Sequence, residues 1–306
     1  MKKKAVFLWP LCYGLCLTIF TAYVLLDAFV IPRSYAQTPG ALQEMSTDSS
    51  VSSEQNNSEA TTSAVVSDTS YKDSKTRIEI KQYRENDTTI YVADIVLTDS
   101  SALKTALANN TYGKNITQRT SAMAEQNNAL LAINGDYYSA RSGYVIRNGV
   151  LYRETSSDSS QEDLVIKKDG SFEIVTEGSV TAKQLLEDNV QQVLSFGPSL
   201  VKNGEVSITQ NEEVGKAMAS NPRTAIGQVD DLHYVMVVSD GRTEESAGLS
   251  LYQLADFMEN LGVKTAYNLD GGGSSTMVFR GQIINQPTTG GNKISERKVS
   301  DIVYIG

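Results

Sequence analysis

Histidine and cysteine are almost absent from this 306-residue chain, which has one histidine, His233, and two cysteines, Cys12 and Cys16. A zinc site built from several histidines is therefore excluded. Both cysteines lie in the first hydrophobic stretch, so the rest of the chain has no disulfide framework. Neither follows the small-residue pattern of a lipoprotein signal. Basic residues are missing altogether between positions 37 and 70, where Glu44, Asp48, Glu54, Glu59 and Asp68 leave a charge of −5. The net charge of the whole chain is −9. An acidic body lacks the clustered Lys and Arg that nucleic acid requires, which excludes nucleic acid as the main partner. No internal repeat is visible, and nothing resembles a Walker loop, since no Gly-Lys-Ser/Thr follows the glycine runs.

What is present begins with a membrane segment. Lys2, Lys3 and Lys4 precede a mostly apolar run from Ala5 to Ile31, broken only by weakly polar residues and Asp27. About 20 apolar residues span a bilayer, whereas a signal-peptide core is nearer 7–15. The run predicts a transmembrane signal anchor at 5–31, with residues 1–4 as a cytoplasmic tip and the remainder exported. Ser34-Tyr35-Ala36 also resembles a small-x-small cleavage site, and cleavage there would give a secreted protein instead. Residues 32–76 are acidic and rich in Ser and Thr, with few large apolar side chains. Such a segment reads as a disordered tether, leaving 77–306 as the folded domain.

Within that domain, alternation at Ile78, Ile80, Ile90, Val92 and Ile95 marks strands. A helix at about 115–128 feeds the apolar strand Ala129–Asn134. Hairpins turn at Asn148-Gly149 and Asp169-Gly170, and a short helix covers Thr181–Asn189. Leu232–Val238 is a buried strand ending at Asp240-Gly241-Arg242. Ser250-x-x-Gln253 is a capping box that opens a helix with an apolar stripe of Leu251, Leu254, Met258 and Leu261. Val263–Leu269 is the next strand and stops at Asp270-Gly271-Gly272-Gly273. Strand, helix, strand of this length predicts a right-handed crossover between parallel strands. The fold class expected is α+β (mixed α/β): a mixed sheet with one parallel strand–helix–strand unit and several antiparallel hairpins, preceded by one transmembrane helix.

Parallel neighbours ending in Asp240 and Asp270 would present two carboxylates about 4.8 Å apart along one sheet edge, where ligands of open α/β sheets bind. Pairing Val229 with Leu232 would set Arg223 opposite Val238 at the same end. Asn134-Gly135-Asp136 closes another strand. Asp136, Arg223, Asp240 with Arg242, and Asp270 are thus expected in one cleft. Asp-Gly at a strand end is on its own only a turn signal. A triple glycine is more telling, since it serves where backbone must approach a ligand closely. Gly271, Gly272 and Gly273 with Ser274 and Ser275 are expected to form a nest of N–H groups for an anion. A serine-nucleophile reading fails for want of a base, because His233 lies at the other end of its strand.

These segments resemble the phosphodiester glycosidase family. The residues that carry the resemblance are Ile133-Asn-Gly-Asp-Tyr-Tyr138, Gly143-Tyr-Val-Ile-Arg-Asn-Gly149, Asn221-Pro-Arg-Thr-Ala-Ile-Gly227 and Val238-Ser-Asp-Gly-Arg242. Gly248-Leu-Ser250, Asn268-Leu-Asp-Gly-Gly-Gly-Ser-Ser-Thr-Met277 and Glu296-Arg-Lys-Val-Ser-Asp301 follow in the family's order. Tyr144 departs from the pattern, where an aliphatic residue is expected, and the body lacks the cysteines of the family's lysosomal member. The resemblance implies hydrolysis of the glycosidic C1–O bond of a sugar 1-phosphodiester, with a phosphate monoester as leaving group. That group needs cations or N–H donors more than a general acid. Arg223, Arg242 and the glycine segment are candidates for this role, with Arg297 as a further one. Asp270 and Asp136 are the carboxylates expected to activate water or stabilise the oxocarbenium ion, with Asp240 orienting an arginine. Asn134 is expected to bond the sugar. No cofactor is required, although Ca²⁺ or Mg²⁺ would suit a cluster of aspartates.

The expected function is an extracytoplasmic hydrolase acting on cell-surface or exopolysaccharide glycans. The alternative is a non-catalytic glycan or wall-polymer binder that uses the same cleft, with the many tyrosines stacking on sugars.

Overall fold

The computed structural model describes residues 5–35, 64–156, 158–210, 220–291 and 293–306. Helix α1 (Ala5–Phe29) is apolar around its circumference, and its membrane-length window is not buried by any of the described residues. Its length is enough to cross a bilayer. The amides of Val30 and Ile31 both return to the Leu26 carbonyl, and Pro32 stops the helix. Strand β1 (Arg33–Ser34) follows directly and pairs antiparallel with Gly113–Lys114. The expected tether is therefore docked at its start. At its far end Val65–Val66 and Ser70–Lys72 already belong to a sheet, and Tyr71 packs on the core. Folding thus starts well before position 77. Ser- and Thr-rich composition does not prevent pairing where a sheet edge is available. Residues 36–63 of the expected tether lie outside the described residues.

The body consists of three antiparallel sheets whose inner faces share one core, each backed by one helix. Strands β2 (Thr76–Glu85) and β3 (Thr88–Leu97) form a long hairpin. Its turn residues Asn86 and Asp87 both have positive φ, as a tight two-residue turn demands. Helix α2 (Thr120–Gln126) then leads into β4 (Leu131–Asn134). Next come the hairpins Val145–Arg147/Val150–Arg153 and Glu162–Lys167/Phe172–Thr176, turning where the Asn-Gly and Asp-Gly pairs stand. Helix α3 (Ala182–Glu187) begins at a Thr181/Gln184 capping box and covers the outer face of that five-stranded sheet.

Strands β5 (Arg223–Asp230) and β6 (His233–Ser239) form the next hairpin. Helix α4 (Leu251–Asn260), opened by the Ser250/Gln253 capping box, leads into β7 (Thr265–Asn268). The last strand, β8 (Asp301–Ile305), lies between β4 and Leu103–Leu107. In β6, Tyr234, Met236 and Val238 face the shared core, while Val235 and Val237 face α4 with Leu251, Leu254 and Met258. This period of two lets one strand serve both layers.

Two expectations fail here. Strands β6 and β7 do not pair: β5 lies between them and is antiparallel to both. Every pairing between described strands is antiparallel. The ends carrying Asp240 and Asp270 are therefore two strand spacings apart, about 10 Å rather than 4.8 Å. In addition, the β5–β6 register shifts by a bulge between Gln228 and Asp230, with Leu232 at positive φ in the turn. Arg223 consequently stands opposite Ser239, one position from where the simple hairpin predicted.

Candidate active site

At the end of the large sheet, four loops meet over the segment Asn221-Pro222-Arg223 that enters β5. The amide of Gly272 donates to the Pro222 carbonyl (2.8 Å). A Cβ on Gly271 would lie 2.8 Å from that same oxygen, so only glycine permits the approach. Gly272 has φ +61°, and a Cβ there would stand 2.8 Å from Arg242 Nη2. The triple glycine is therefore a packing surface, for Pro222 on one side and the Arg242 guanidinium on the other. It is less of an anion nest than expected: the amides of Gly272, Ser274 and Ser275 donate to Pro222, Gly271 and Gly272 carbonyls respectively.

Asp270 is the best-developed carboxylate at this edge. Its Oδ2 accepts from Ser274 Oγ (2.5 Å) and from Arg297 Nη2 (2.7 Å). Arg297 also reaches Ser274 Oγ through Nε (2.9 Å) and Nη2 (2.6 Å), and its main-chain amide donates to the Gly273 carbonyl. The Asp270 side chain is 11% exposed and that of Arg297 43%, so the arginine reaches solvent while the carboxylate is mostly covered. Tyr137 lies under the Arg297 guanidinium at 5.9 Å. It holds a left-handed φ of 55°, uncommon for a bulky side chain and a mark of local constraint.

Asp240, at the end of β6, does not hold an arginine as expected. Its Oδ1 accepts from the Gln286 amide (2.8 Å) and Asn285 Nδ2 (3.2 Å), and the nearby Tyr91 hydroxyl also favours the ionised carboxyl. Burial raises its proton affinity above the ordinary aspartate value, and these donors offset part of the rise. Burial and the neighbouring Asp240 in turn push Tyr91 up to about 12. Arg242, itself at φ +63°, donates to Asn221 Oδ1 (2.8 Å). Arg223 is 3% exposed, and its Nε donates to the Leu249 carbonyl (2.8 Å), so its guanidinium belongs to the cleft floor. Among the described residues no three acidic, histidine or cysteine side chains converge as metal ligands.

Asn134 and Asp136 flank Gly135, whose carbonyl accepts from the Asp270 amide (3.3 Å), but both side chains are buried. Asn134 is fully buried: its Nδ2 donates to the Asp270 carbonyl (2.6 Å), and its Oδ1 accepts from Thr224 Oγ1 (2.8 Å). It ties β4 to β5 and to the Asp270 loop, and it is closed to a sugar. Asp136 is also buried. Its Oδ1 accepts from Arg147 Nη2 (2.8 Å) and the Tyr138 amide (3.0 Å), and its Oδ2 from the Ser195 amide (2.8 Å). Arg147 is shared with Asp301 (2.9 Å), making a fully buried carboxylate–guanidinium–carboxylate triad. The two acids strengthen the charge on Arg147, while burial and the charge of Asp136 raise Asp301. This geometry makes Asp136 a framework residue. His233 is bonded to Asp94 (2.8 Å) at the opposite end of β6.

Tyr91, Asn285 and Gln286 join the site without having been singled out from the sequence, and Asn221 is read there only as part of the Asn221–Gly227 motif. None carries a local signal, since each is defined only by what folds against it. Arg147 and Asp301 were both inside motifs, but they are 154 positions apart and nothing in the sequence pairs them.

Residues 127–306 match the family described as phosphodiester glycosidase. The chain is 31% identical over 175 residues to human N-acetylglucosamine-1-phosphodiester alpha-N-acetylglucosaminidase, covering 52% of this chain and 33% of that protein. It is 29% identical over 199 residues to the uncharacterized SPbeta prophage-derived protein YomE of Bacillus subtilis, covering 63% of this chain and 30% of that one. The chain thus spans about a third of the length of these relatives. Among solved structures, the zebrafish catalytic domain of the same glucosaminidase, auto-inhibited by its pro-peptide, aligns with a TM-score of 0.60 at 22% identity. That alignment covers 76% of this chain and 82% of the other. A hypothetical protein from Synechocystis aligns at 0.53 with 14% identity, covering 76% and 62%; these two likenesses speak to the fold. With its last 180 residues matched end to end by the family's pattern, the chain belongs to the phosphodiester glycosidase family.

Proposed function

We propose that the protein is an extracytoplasmic hydrolase that cleaves the C1–O bond of a sugar 1-phosphodiester on a cell-surface or exopolysaccharide glycan. The observation that carries this reading is the Asp270–Arg297–Ser274 unit at the end of the large sheet, with the Arg242 guanidinium beside Gly272 of the same loop. In the reaction water adds to C1, the C1–O bond breaks, and the bonding electrons leave with a phosphate monoester. Negative charge grows on the departing phosphate, and Arg297 and Arg242 are the cations placed to meet it. Positive charge grows at C1, where a carboxylate is required. Both protein contacts of Asp270 fall on Oδ2, which leaves its other edge to face C1 or water. Asp240, with its raised proton affinity, is suited to take the proton from water. Helix α1 anchors the enzyme in the membrane, with the three N-terminal lysines cytoplasmic and the folded body outside.

The test is release of free sugar from the methyl phosphodiester of α-N-acetylglucosamine 1-phosphate, run beside a panel of other sugar 1-phosphodiesters. The full-length chain should release sugar, and Asp270→Asn should lower the rate by about 10² or more. Binding to such glycans without turnover, unchanged by Asp270→Asn, would instead favour a binding protein.

A further inference from the structure

The segment that leaves the membrane helix is built into the body. β1 pairs Arg33 with Lys114 and Ser34 with Gly113. The Tyr35 amide donates to the Tyr112 carbonyl (3.0 Å), and Asn115 Nδ2 donates to the Ile31 carbonyl (3.0 Å). A Cβ on Gly113 would stand 1.9 Å from the Arg33 carbonyl oxygen. The backbone of Gly113 does not need glycine for its own conformation, since its φ is not positive. What requires glycine there is the docked strand. The Tyr35 ring packs on Tyr112 at 5.9 Å, and Tyr112 is 5.0 Å from both Tyr138 and Tyr152. Tyr138 also accepts the Gly113 amide and sits two residues beyond Asp136. At the other end, Arg33 pairs with Asp27 of α1, which neutralises the one acid of the apolar run.

We propose that Arg33–Tyr35 is a permanent strand of the hydrolase body, clamping that body directly against the membrane surface through the Gly113 notch and the Tyr35–Tyr112 contact. Only residues 30–32 separate α1 from β1, so at most about 10 Å of chain joins the helix to the docked strand. The face bearing Gly113–Lys114 is held at headgroup level, and the cleft keeps one height and orientation above the bilayer. The distance of the body from the bilayer is then set at β1. The proposal rests on α1 lying in the membrane and not on the catalytic assignment.

The experiment uses the full-length chain in membranes, with Cys12→Ser and Cys16→Ser, a protease site inserted near residue 50, and Arg33→Cys combined with Lys114→Cys. Paired strand positions have Cα separations that a disulfide can bridge. After mild oxidation and proteolysis, the two fragments should stay joined on a non-reducing gel and separate on reduction. Arg33→Cys combined with Lys75→Cys should leave them separate. Gly113→Val or Tyr35→Ala, added to the first pair, should cut the joined fraction at least several-fold. Tyr35 lies outside the body's own core, so its variant should melt like the parent. Absence of joining, equal joining to both partner positions, or a chain shortened near Ala36 in the membrane fraction would each overturn the proposal. Carbonate-resistant sedimentation reads the anchor separately, so loss of the anchor and loss of docking are distinguishable.

Discussion

Removing the charge from Asp136 and from Asp270 separates framework from chemistry. In Asp136→Asn, an amide NH₂ replaces one of two carboxylate oxygens, both of which accept from donors: Arg147 and the Tyr138 amide on one, the Ser195 amide on the other. Whichever way the amide turns, a donor faces a donor in a site where Asp136 is 1% exposed and Arg147 2%. Breaking a buried ion pair on one side costs about 3–5 kcal/mol. A domain of this size loses about 2–4 °C of thermal midpoint per kcal/mol, so Asp136→Asn should lower the midpoint by roughly 6–20 °C. Asp270→Asn removes a pair whose arginine is 43% exposed, and solvent screening limits that loss to about 1 kcal/mol or less. Its midpoint should fall by no more than about 4 °C, while sugar release falls by about 10² or more. Both quantities can be read on the same preparations, by thermal scanning and by free-sugar assay at a temperature where each variant is folded. An Asp136→Asn variant that melts within about 3 °C of the parent and has lost all turnover would refute the framework assignment. It would return that carboxylate to the reaction.

Three further outcomes follow from the same geometry. Asp163 is fully buried, with no hydrogen-bond partner for either carboxylate oxygen, and burial together with Glu177 pushes it up to about 9. From pH 7 upward the native state keeps a proton that the unfolded chain has lost, so stability falls as pH rises, by about 1.4 kcal/mol per unit at first and roughly 2 kcal/mol by pH 9, where the native carboxyl itself ionises. Denaturant titrations of Asp163→Asn should lack this slope, and an unchanged slope would disprove the assignment. Tyr91→Phe removes a hydroxyl that favours ionised Asp240, so the acidic limb of kcat/KM should move to higher pH. No movement, or movement to lower pH, would remove Asp240 from the role of base. Gly272→Ala pushes a methyl into the Arg242 guanidinium and should raise KM for the phosphodiester by roughly tenfold to a hundredfold, the value of a charged hydrogen bond. Gly204→Ala, also at positive φ but facing open space, is its control for backbone strain and should leave KM unchanged.

Local order was legible in the chain to a degree that long-range order was not. The Asn148-Gly149 and Asp169-Gly170 turns and the Ser250/Gln253 cap stand where they were read, because each is determined by residues within a few positions of one another. The alternation of β6 was equally plain, since its two faces meet two different apolar layers. What failed depended on partners far away. A strand–helix–strand pattern specifies that the chain returns, but not whether a third strand lies between. The apolar run of β5 fits the gap as well as it would fit an edge. Asp136 and Asp270 look alike in sequence, each following a strand and standing beside a glycine. What separates them is Arg147 with Asp301 around one and Arg297 with Ser274 around the other. The first residues after α1 carried no signal of docking at all, because the notch that receives them is made by Gly113.

The intercalation of β5 also changes what the glycines are for. With β6 and β7 side by side, a triple glycine at the end of β7 would have faced solvent and been free to wrap an anion. With β5 between them, the entry of that strand at Asn221-Pro222 becomes the floor on which the neighbouring loops must rest. Gly241 and Gly271 would each place a Cβ within 2.9 Å of Pro222, and Gly248 within 2.7 Å of Asn221. Three glycines from three loops are thus spent on close approach to one segment, and amides that a nest would need are turned inward to carbonyls. On the proposed function, recognition of a phosphate at this edge would fall to side chains, and to guanidinium groups in particular, since no histidine lies near. Arg223 is sealed in the floor, whereas Arg242 and Arg297 stand above it. The proposed sugar 1-phosphodiester would have to lie across this floor, with the two aspartate-bearing strand ends about 10 Å apart on either side of it.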